Sequence, residues 1–283
     1  HNSVMRPLRH LEGERGVRVE TLPADPFGRV DVRAAGALSD PDPPRLIVLA
    51  HVSNVNGAVQ DLAALRRAFP ETPILSDAAQ AAGVLPIDVA AQGIDFLACS
   101  AHKGLLGPTG VGFCTLKPGL EVTPLIQGGT GSRSESMAPP TVRPDRYEGG
   151  TQNLHGIAGV QGALEHIEAK GLLGEHKRRL CGMLLDGLRL VPGLHLHSPA
   201  DGTALLVSFT IEGLTPSEVA HRLEQEQGIL SRPGLQCAPA AHHHLGTFPQ
   251  GTVRLSPGFG NTEEHARQAV EAVRAVAGRR TTG

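Results

Sequence analysis

The stretch DFLACSAHKGLLGPTGVGFCTL, residues 95–116, decides the fold of this chain. Two apolar runs, DFLACS and GVGFCTL, flank a segment rich in glycine that also contains a proline and one lysine, Lys103. Short apolar runs bounded by turn residues are typical of buried strands. The chain has only four lysines, and one placed where a buried strand ends raises the question of a specific role. The stretch predicts a strand, a tight turn that carries Lys103, and a second strand.

Two further apolar runs precede this stretch, RLIVLA at residues 45–50 and PILSD at residues 73–77. A helical pattern over residues 61–68 separates them, and short strands that alternate with helices are typical of βαβ units. We therefore predict an α/β fold with a mixed, mostly parallel sheet flanked by helices. Residues 116–150 have little periodic pattern, and a loop of that length is usually functional or disordered.

The second half of the chain predicts a smaller α/β unit. A helical pattern runs from His155 to about Leu190, and the final helix begins at Thr262. Between them lie the strand-like runs ALLVSFTI, GILSR and GTVRLSP and a helical pattern over residues 217–227. We predict a large domain at residues 1–160 and a small C-terminal domain at residues 161–283.

The composition is that of an ordinary globular chain. Its net charge of −2 gives no electrostatic reason to expect a nucleic acid or an anionic membrane surface as partner. No apolar run approaches the roughly 18–20 residues of a membrane span. The four cysteines lack the spacing of a metal site or a disulfide framework, so a reducing, cytoplasmic location is expected. Cys99, Cys114 and Cys181 are predicted to be small core residues, whereas Cys237 lies in the loop RPGLQCAP.

Polar side chains gather directly after three of the predicted strands. Because ligands of open α/β sheets bind outside the carboxyl ends of the strands, we expect these side chains to face one crevice. They are His51, Ser53 and Asn54 after the first strand, Asp77 and Gln80 after the second, and Ser100, His102 and Lys103 after the third.

Taken singly, these residues have ordinary structural explanations. Asp77 could cap a helix, His102 could be a structural histidine with its hydrogen bonds satisfied, and Lys103 could be solvated.

Together, the polar residues that follow the three strands suit one ligand. A lysine in a crevice can act as a nucleophile or form a Schiff base, and a carboxylate can hold a ring nitrogen in its cationic form. Ser100, His102 and the following backbone N–H groups can bind a phosphate. The combination predicts pyridoxal 5'-phosphate as cofactor.

Six motifs carry a resemblance to a known family, in its order and at about its spacing. The chain resembles the cysteine desulfurases of the class V aminotransferase fold, which are fold type I pyridoxal-phosphate enzymes related to selenocysteine lyases. The resemblance covers essentially the whole chain and is specific for the family more than for the reaction. The motifs are HVSNVNG, SDAAQAAG, SAHKGLLGPTGVG, YEGGTQN, RPGLQCAP and GTVRLSPGFGNTEE.

The resemblance implies a role for each residue that contacts the cofactor. Lys103 resembles the lysine that holds pyridoxal phosphate covalently, and Asp77 resembles the partner of the pyridine nitrogen. Gln80 matches the donor to the phenolic oxygen of the cofactor. Ser100 and His102 match the ligands of the phosphate.

It implies further roles around the substrate. Asn54 matches an amide near the substrate carboxylate and the phenolic oxygen. Arg254 resembles the arginine that forks onto that carboxylate, with Arg232 as its assistant. His1 is similar to the histidine that stacks on the cofactor ring. Thr151 matches a residue that reaches the phosphate of the other subunit, which implies a homodimer with shared active sites.

The loop cysteine bears on the reaction. In desulfurases such a cysteine takes the sulfur of L-cysteine as a persulfide and leaves L-alanine, and Cys237 lies before Arg254 at close to the family's spacing. A thiolate is needed, so an exposed loop is suitable. The resemblance thus implies a desulfurase-like enzyme with an amino-acid substrate and a sulfur-acceptor protein as a further partner.

Two alternatives stay open at this point. One is another class V reaction, transamination or selenocysteine lysis, in which Cys237 is incidental. The other is a non-catalytic dimerising remnant. The chain begins at His1, and the family's phosphate-binding loop lies upstream of that histidine, so we expect an N-terminal portion to be missing.

Three consecutive histidines, residues 242–244, follow Cys237 and raise the question of a metal site. Adjacent histidines cannot all point at one ion, and no second ligand cluster has suitable spacing. We therefore predict no metal, and a role in the loop for these histidines.

Overall fold

Two four-stranded sheets organise the chain, of which the computed structural model describes residues 1–36 and 43–278. The first sheet has the order β1-β2-β3-β4, with β1, β2 and β3 parallel and β4 antiparallel to β3. The prediction of a mixed, mostly parallel sheet is confirmed. Its strands are β1 (Ile47–Ala50), β2 (Ile74–Asp77), β3 (Phe96–Ser100) and β4 (Gly112–Leu116).

Four helices of the first part of the chain accompany this sheet. They are α1 (Asn2–Arg15), α2 (Val32–Gly36), α3 (Leu62–Ala68) and α4 (Leu154–Lys170). The long segment between β4 and α4 contains a single short 3-10 helix, Asp145–Tyr147, among its described residues.

The second sheet is antiparallel throughout, with the order β5-β6-β8-β7. The α/β fold with a smaller C-terminal α/β part is therefore confirmed, whereas the boundary between residues 160 and 161 stays a prediction. The elements are α5 (Gly174–Leu188), β5 (Leu194–Leu196), β6 (Val207–Ile211), α6 (Pro216–Gln227), β7 (Arg232–Gly234), α7 (Pro239–His244), β8 (Thr252–Leu255) and α8 (Glu263–Gly278).

The two sheets have separate cores. Helices α5 and α8 pack against each other and against the second sheet, with Leu188, Phe209 and Val273 fully buried. The core beneath the first sheet also includes Ile167 from α4 and Leu205 from the segment before β6. Those shared contacts hold the second half of the chain against the first sheet.

One cysteine prediction is wrong. Cys99 and Cys181 are buried as expected, but Cys114 is exposed. Cys114 lies on β4, which is an edge strand that pairs only with β3 among the described residues. Four of the five residues of β4 are exposed, because no described element covers them.

Asp95 ties the start of β3 to the start of β2. Its carboxylate accepts a hydrogen bond of 2.8 Å from the backbone N–H of Ile74 and forms ion pairs with Arg66 and Lys117. The side chain of Asp95 is only 7% exposed. Burial raises the pKa of Asp95, but the Ile74 N–H and the charges of Arg66 and Lys117 outweigh it, so the net pKa is lowered.

We expect Asp95→Asn to destabilise the fold by about 3 kcal/mol at pH 7, because it removes one member of a buried ion pair. The stabilisation is present above the unfolded-state pKa and is lost as the pH falls through the lowered folded-state pKa. The free energy of unfolding, measured in urea, should therefore fall less between pH 7 and pH 2 for the variant than for the wild type. Glu271→Gln, which removes an exposed pair with Arg274, is the control and should change stability by less than about 1 kcal/mol. Equal stabilities of Asp95→Asn and the wild type at pH 7 would contradict this account.

Candidate active site

A tight turn holds Lys103 just beyond the end of β3. The backbone N–H of Ala101 donates to the carbonyl of Val111 at 3.1 Å, and the N–H of Gly107 donates to the carbonyl of Ala101 at 2.8 Å. Within the turn, Leu106 donates to the carbonyl of Lys103 at 2.9 Å and adopts a left-handed φ of 60°. These hydrogen bonds fix the backbone of Lys103 independently of its side chain.

A second turn, which follows β2, packs directly against the lysine turn. A Cβ at Gly83 would lie 2.1 Å from the carbonyl oxygen of Gly104, and one at Gly104 would lie 2.5 Å from that of Ala82. Gly83 also has a φ of +75°. Only glycine permits this approach, which brings the segment carrying Asp77 and Gln80 beside Lys103.

One cavity of about 480 Å³ brings six of the predicted residues together. Helix α1 and the strands of the first sheet supply an apolar wall that includes Val4, Leu8, Val48, Leu75 and Ala98. The predicted residues that line it are His1, Asn54, Asp77, Gln80, Ser100 and Lys103. His51, which the sequence grouped with them, does not line the cavity. It is 3% exposed, and burial lowers its pKa to about 4.

The polar groups of the cavity have few partners within the protein. Asp77 accepts a hydrogen bond of 3.0 Å from the backbone N–H of Ala79 through one oxygen. In the described part of the chain, no hydrogen bond or ion pair involves the side chains of Gln80, Ser100 or Lys103. A carboxylate, an amide, a hydroxyl and an amine around one space suit a polar aromatic ligand such as pyridoxal phosphate.

Asn54 connects this cavity to the second sheet. Its side-chain Nδ2 donates to the carbonyl oxygen of Gln236 at 2.7 Å, next to Cys237. Its own carbonyl oxygen accepts from Nη1 of Arg254 at 2.7 Å. The cysteine segment, residues 235–238 with Cys237 among them, and β8 are thus both attached to the cavity wall through Asn54.

Arg254 carries a buried donor that is free to bind an anion. Its Nε has no hydrogen-bond partner among the described residues. Burial lowers the pKa of Arg254, the charge of Arg232 lowers it further, and Cys237 opposes the shift. Because an unpaired buried N–H is unfavourable, a carboxylate at this position would stabilise the guanidinium.

Five predicted site residues do not line the cavity, namely Arg254, His102, Cys237, Arg232 and Thr151. His102 and Cys237 are exposed, and Arg232 faces Arg254 across the β7–β8 pair. Thr151 is exposed two residues before Asn153, the N-cap of α4. The described chain offers no contact from Thr151 to the cavity, so its role at another subunit stays a prediction.

The sequence missed parts of this arrangement. His1 caps α1, since its Nδ1 accepts from the N–H of Ser3 at 3.2 Å, and nothing in the pattern predicted that helix. Buried Gln236 was also missed, because its importance depends on left-handed turn geometry that adjacent residues do not signal.

Among the described residues, no three histidine, cysteine or acidic residues are grouped so that they could hold a metal ion. No described helix is long and apolar enough to span a membrane.

Comparison with known proteins identifies the family to which the chain belongs. The pattern of the class V aminotransferase family matches residues 1–268. The chain belongs to this family.

Two of the relatives that the chain matches are named as cysteine desulfurases or probable cysteine desulfurases. The chain is 32% identical to a probable cysteine desulfurase of Methanothermobacter thermautotrophicus, covering 98% of this chain and 71% of that protein. It is 31% identical to a cysteine desulfurase of Synechococcus elongatus, covering 98% of this chain and 45% of that protein. The chain therefore spans only part of each relative.

Solved structures agree in fold. The cysteine desulfurase CsdA of Escherichia coli aligns with a TM-score of 0.86 at 28% identity, covering 99% of this chain and 71% of that one. The apo cysteine desulfurase of Thermococcus onnurineus aligns with a TM-score of 0.85 at 27% identity, covering 98% and 70%. Both confirm the predicted fold type.

We expect Gly83→Ala to destabilise the protein more than Gly110→Ala. Both glycines have φ near +80°, but only the Gly83 methyl would meet backbone, 2.1 Å from the oxygen of Gly104. At Gly110 no atom lies within 4 Å of the added methyl. Gly110→Ala should therefore lower the free energy of unfolding by only about 1 kcal/mol. Thermal unfolding of both variants measures the difference. Equal losses would mean that the close approach of the two turns is not needed.

Proposed function

We propose that this chain is a pyridoxal-phosphate-dependent, cysteine desulfurase-like enzyme that removes sulfur from L-cysteine as a persulfide and releases L-alanine. One observation supports the proposal most. The exposed thiol of Cys237 follows directly after Gln236, whose carbonyl accepts a hydrogen bond from Asn54 in the wall of the cavity that contains Lys103. The names of the relatives support the same reaction.

The cofactor site would use the residues around the cavity. Lys103 would hold pyridoxal phosphate covalently, Asp77 would keep its ring nitrogen protonated, and Gln80 would donate to its phenolic oxygen. Ser100 and His102 would bind the phosphate. When bound, the cofactor supplies an acceptor for the electrons released at the α-carbon of an amino acid.

The substrate end would use the other residues. Arg254, whose Nε is buried and unpartnered among the described residues, would bind the α-carboxylate, assisted by Arg232 and the amide of Asn54. The amine of Lys103, once released, would move the α-proton as a general base. His1 lies in the cavity wall and would cover the ring.

Cys237 would receive the sulfur atom. Its thiolate would form a bond to the substrate sulfur while the bond between that sulfur and Cβ breaks. The substrate keeps the electron pair and gains a proton at Cβ. L-Cysteine and the enzyme thiol thus give L-alanine and an enzyme persulfide, and the atoms balance without an external oxidant.

A second copy of this chain is the proposed partner. Several large apolar side chains are exposed between β4 and the first turns of α4, the region that also carries Thr151. They are Leu125, Ile126, Met137, Val142, Leu154 and Ile157. Burying them against a second copy would remove a large apolar surface from water. It would also give Thr151 a route to the other subunit's phosphate.

Two further parts of the proposal concern the surroundings of the enzyme. A persulfide must be passed on, so a sulfur-acceptor protein is a second partner. All four cysteines are free thiols, which is suited to a reducing cytoplasm.

Lys103 is expected to be the residue that holds the cofactor. Titration of the purified protein with pyridoxal phosphate should produce a visible absorbance band, and borohydride should then fix the cofactor to Lys103, as peptide mass spectrometry can establish. Lys103→Ala should lose both signals. Lys170→Ala, at the exposed end of α4, is the matched control and should keep both. Failure of the wild type to bind the cofactor at all would favour a non-catalytic dimerising protein.

Cys237 is expected to be needed for release of alanine from L-cysteine. Cys237→Ser should lower this rate by about a thousandfold or more, because it removes the nucleophile. Cys114→Ser, which changes the other exposed cysteine, should retain the wild-type rate. An active Cys237→Ser variant would instead favour another class V reaction, such as transamination.

A further inference from the structure

A buried histidine supports the segment that carries Cys237. His242 in α7 is 0% exposed. Its Nε2 lies 2.9 Å from Oε1 of Gln236, and its Nδ1 lies 2.7 Å from Oγ1 of Thr247. Gln236 Nε2 donates to the carbonyls of Thr252 at 2.9 Å and of Arg232 at 3.2 Å, so its Oε1 is the acceptor. The Nε2 of His242 therefore carries the proton, and its Nδ1 accepts from the hydroxyl of Thr247.

The three consecutive histidines have three different partners. His242 bonds Gln236 and Thr247, as described. His243 stacks on Phe248, with ring centroids 3.8 Å apart. The Nε2 of His244 lies 2.7 Å from the carbonyl oxygen of Asp25. They form the end of α7 rather than a loop. Only His242 contacts the cysteine segment through Gln236.

That segment has an unusual backbone. Gln236 has a φ of 43° and Cys237 a φ of 61°, both in the left-handed region. The N–H of Ala238 donates to the carbonyl of Leu235 at 2.8 Å and closes the turn. Consecutive left-handed residues other than glycine persist only where their surroundings fix them.

The side chain of Gln236 provides that fixation. It is 5% exposed, and its amide uses both donors and its acceptor within the network. Thr252 of β8 continues the network, because its Oγ1 lies 2.7 Å from Oγ of Ser208 in β6. The turn is thus attached to three strands of the second sheet. His242 supplies the shorter of two hydrogen bonds to Oε1 of Gln236, at 2.9 Å, and the hydroxyl of Thr252 donates to the same oxygen at 3.4 Å.

We propose that His242 is a positioning residue for Cys237. By donating to Gln236 it holds the left-handed turn in one conformation, so the thiol keeps a fixed place relative to Asn54 and the cavity. His242 does not contact the cavity itself. The inference rests on the proposed function in one respect, that Cys237 is the residue that receives sulfur.

The test compares three variants of this chain loaded with pyridoxal phosphate. His242→Leu removes the donor, His242→Gln offers an amide N–H in its place, and His243→Leu changes the neighbouring exposed histidine as a control. Four quantities are measured: hydrogen exchange at the amide of Ala238, alanine release from L-cysteine, the cofactor absorbance, and α-proton exchange of L-alanine in D2O. The last reaction uses the cofactor site without any need for Cys237.

The expected result is a selective loss. In His242→Leu, exchange at Ala238 should accelerate by about tenfold or more, and alanine release should fall by about tenfold or more, because the thiol is misplaced. The α-proton exchange of L-alanine and the cofactor absorbance should stay at the wild-type level. His242→Gln should restore most of the lost rate, and His243→Leu should behave like the wild type.

Two results would overturn the inference. Unchanged exchange and alanine release in His242→Leu would mean that His242 holds nothing in place. Parallel loss of alanine release, α-proton exchange and cofactor absorbance would mean a general structural role. If His242→Leu does not fold, Gln236→Met breaks the same link, and the same selective loss is expected from it. If the wild type releases no alanine, the proposed function fails, while hydrogen exchange at Ala238 still decides the role of His242.

Discussion

The arrangement of this protein depends on Asn54, which joins the two sheets by a pair of hydrogen bonds. Its side chain donates to Gln236 and its carbonyl accepts from Arg254, each at 2.7 Å. Those partners lie 182 and 200 residues away in the chain. Shared packing of Ile167 and Leu205 also holds the two parts together, and this bridge fixes where the segment that carries Cys237 lies relative to the cavity wall. The amine of Lys103 and the carboxylate of Asp77 line the cavity, and Asn54 holds the segment that carries the thiol of Cys237 beside the cavity wall.

Much of the fold could be predicted from local pattern. Short apolar runs ending at Asp77 and Ser100 gave the parallel strands, and the glycines after Lys103 gave the turn, because these features depend on neighbours in sequence. Cys114 was misplaced, since burial of an edge strand depends on what covers it. The roles of Gln236 and His242 could not be found, because a side-chain network across three strands leaves no periodic signal.

Polar groups without hydrogen-bond partners support a ligand site here more strongly than the sequence motifs do. Buried polar groups in folded proteins are normally hydrogen-bonded, yet Nε of Arg254 is buried without a partner in the described chain. Lys103 and Gln80 face the same cavity as Asp77. Unpaired groups favour ligands that pair with them, which is why a cofactor is proposed in the cavity and a substrate carboxylate at Arg254.

The central claim is that sulfur from L-cysteine arrives on Cys237. The most direct measurement is peptide mass spectrometry after the cofactor-loaded protein is mixed with one equivalent of L-cysteine and the thiols are capped by alkylation. We predict that the peptide containing Cys237 gains the mass of one sulfur atom, and that the peptides containing the other three cysteines do not. A sulfur atom on another cysteine, or on none while alanine is still formed, would contradict the account.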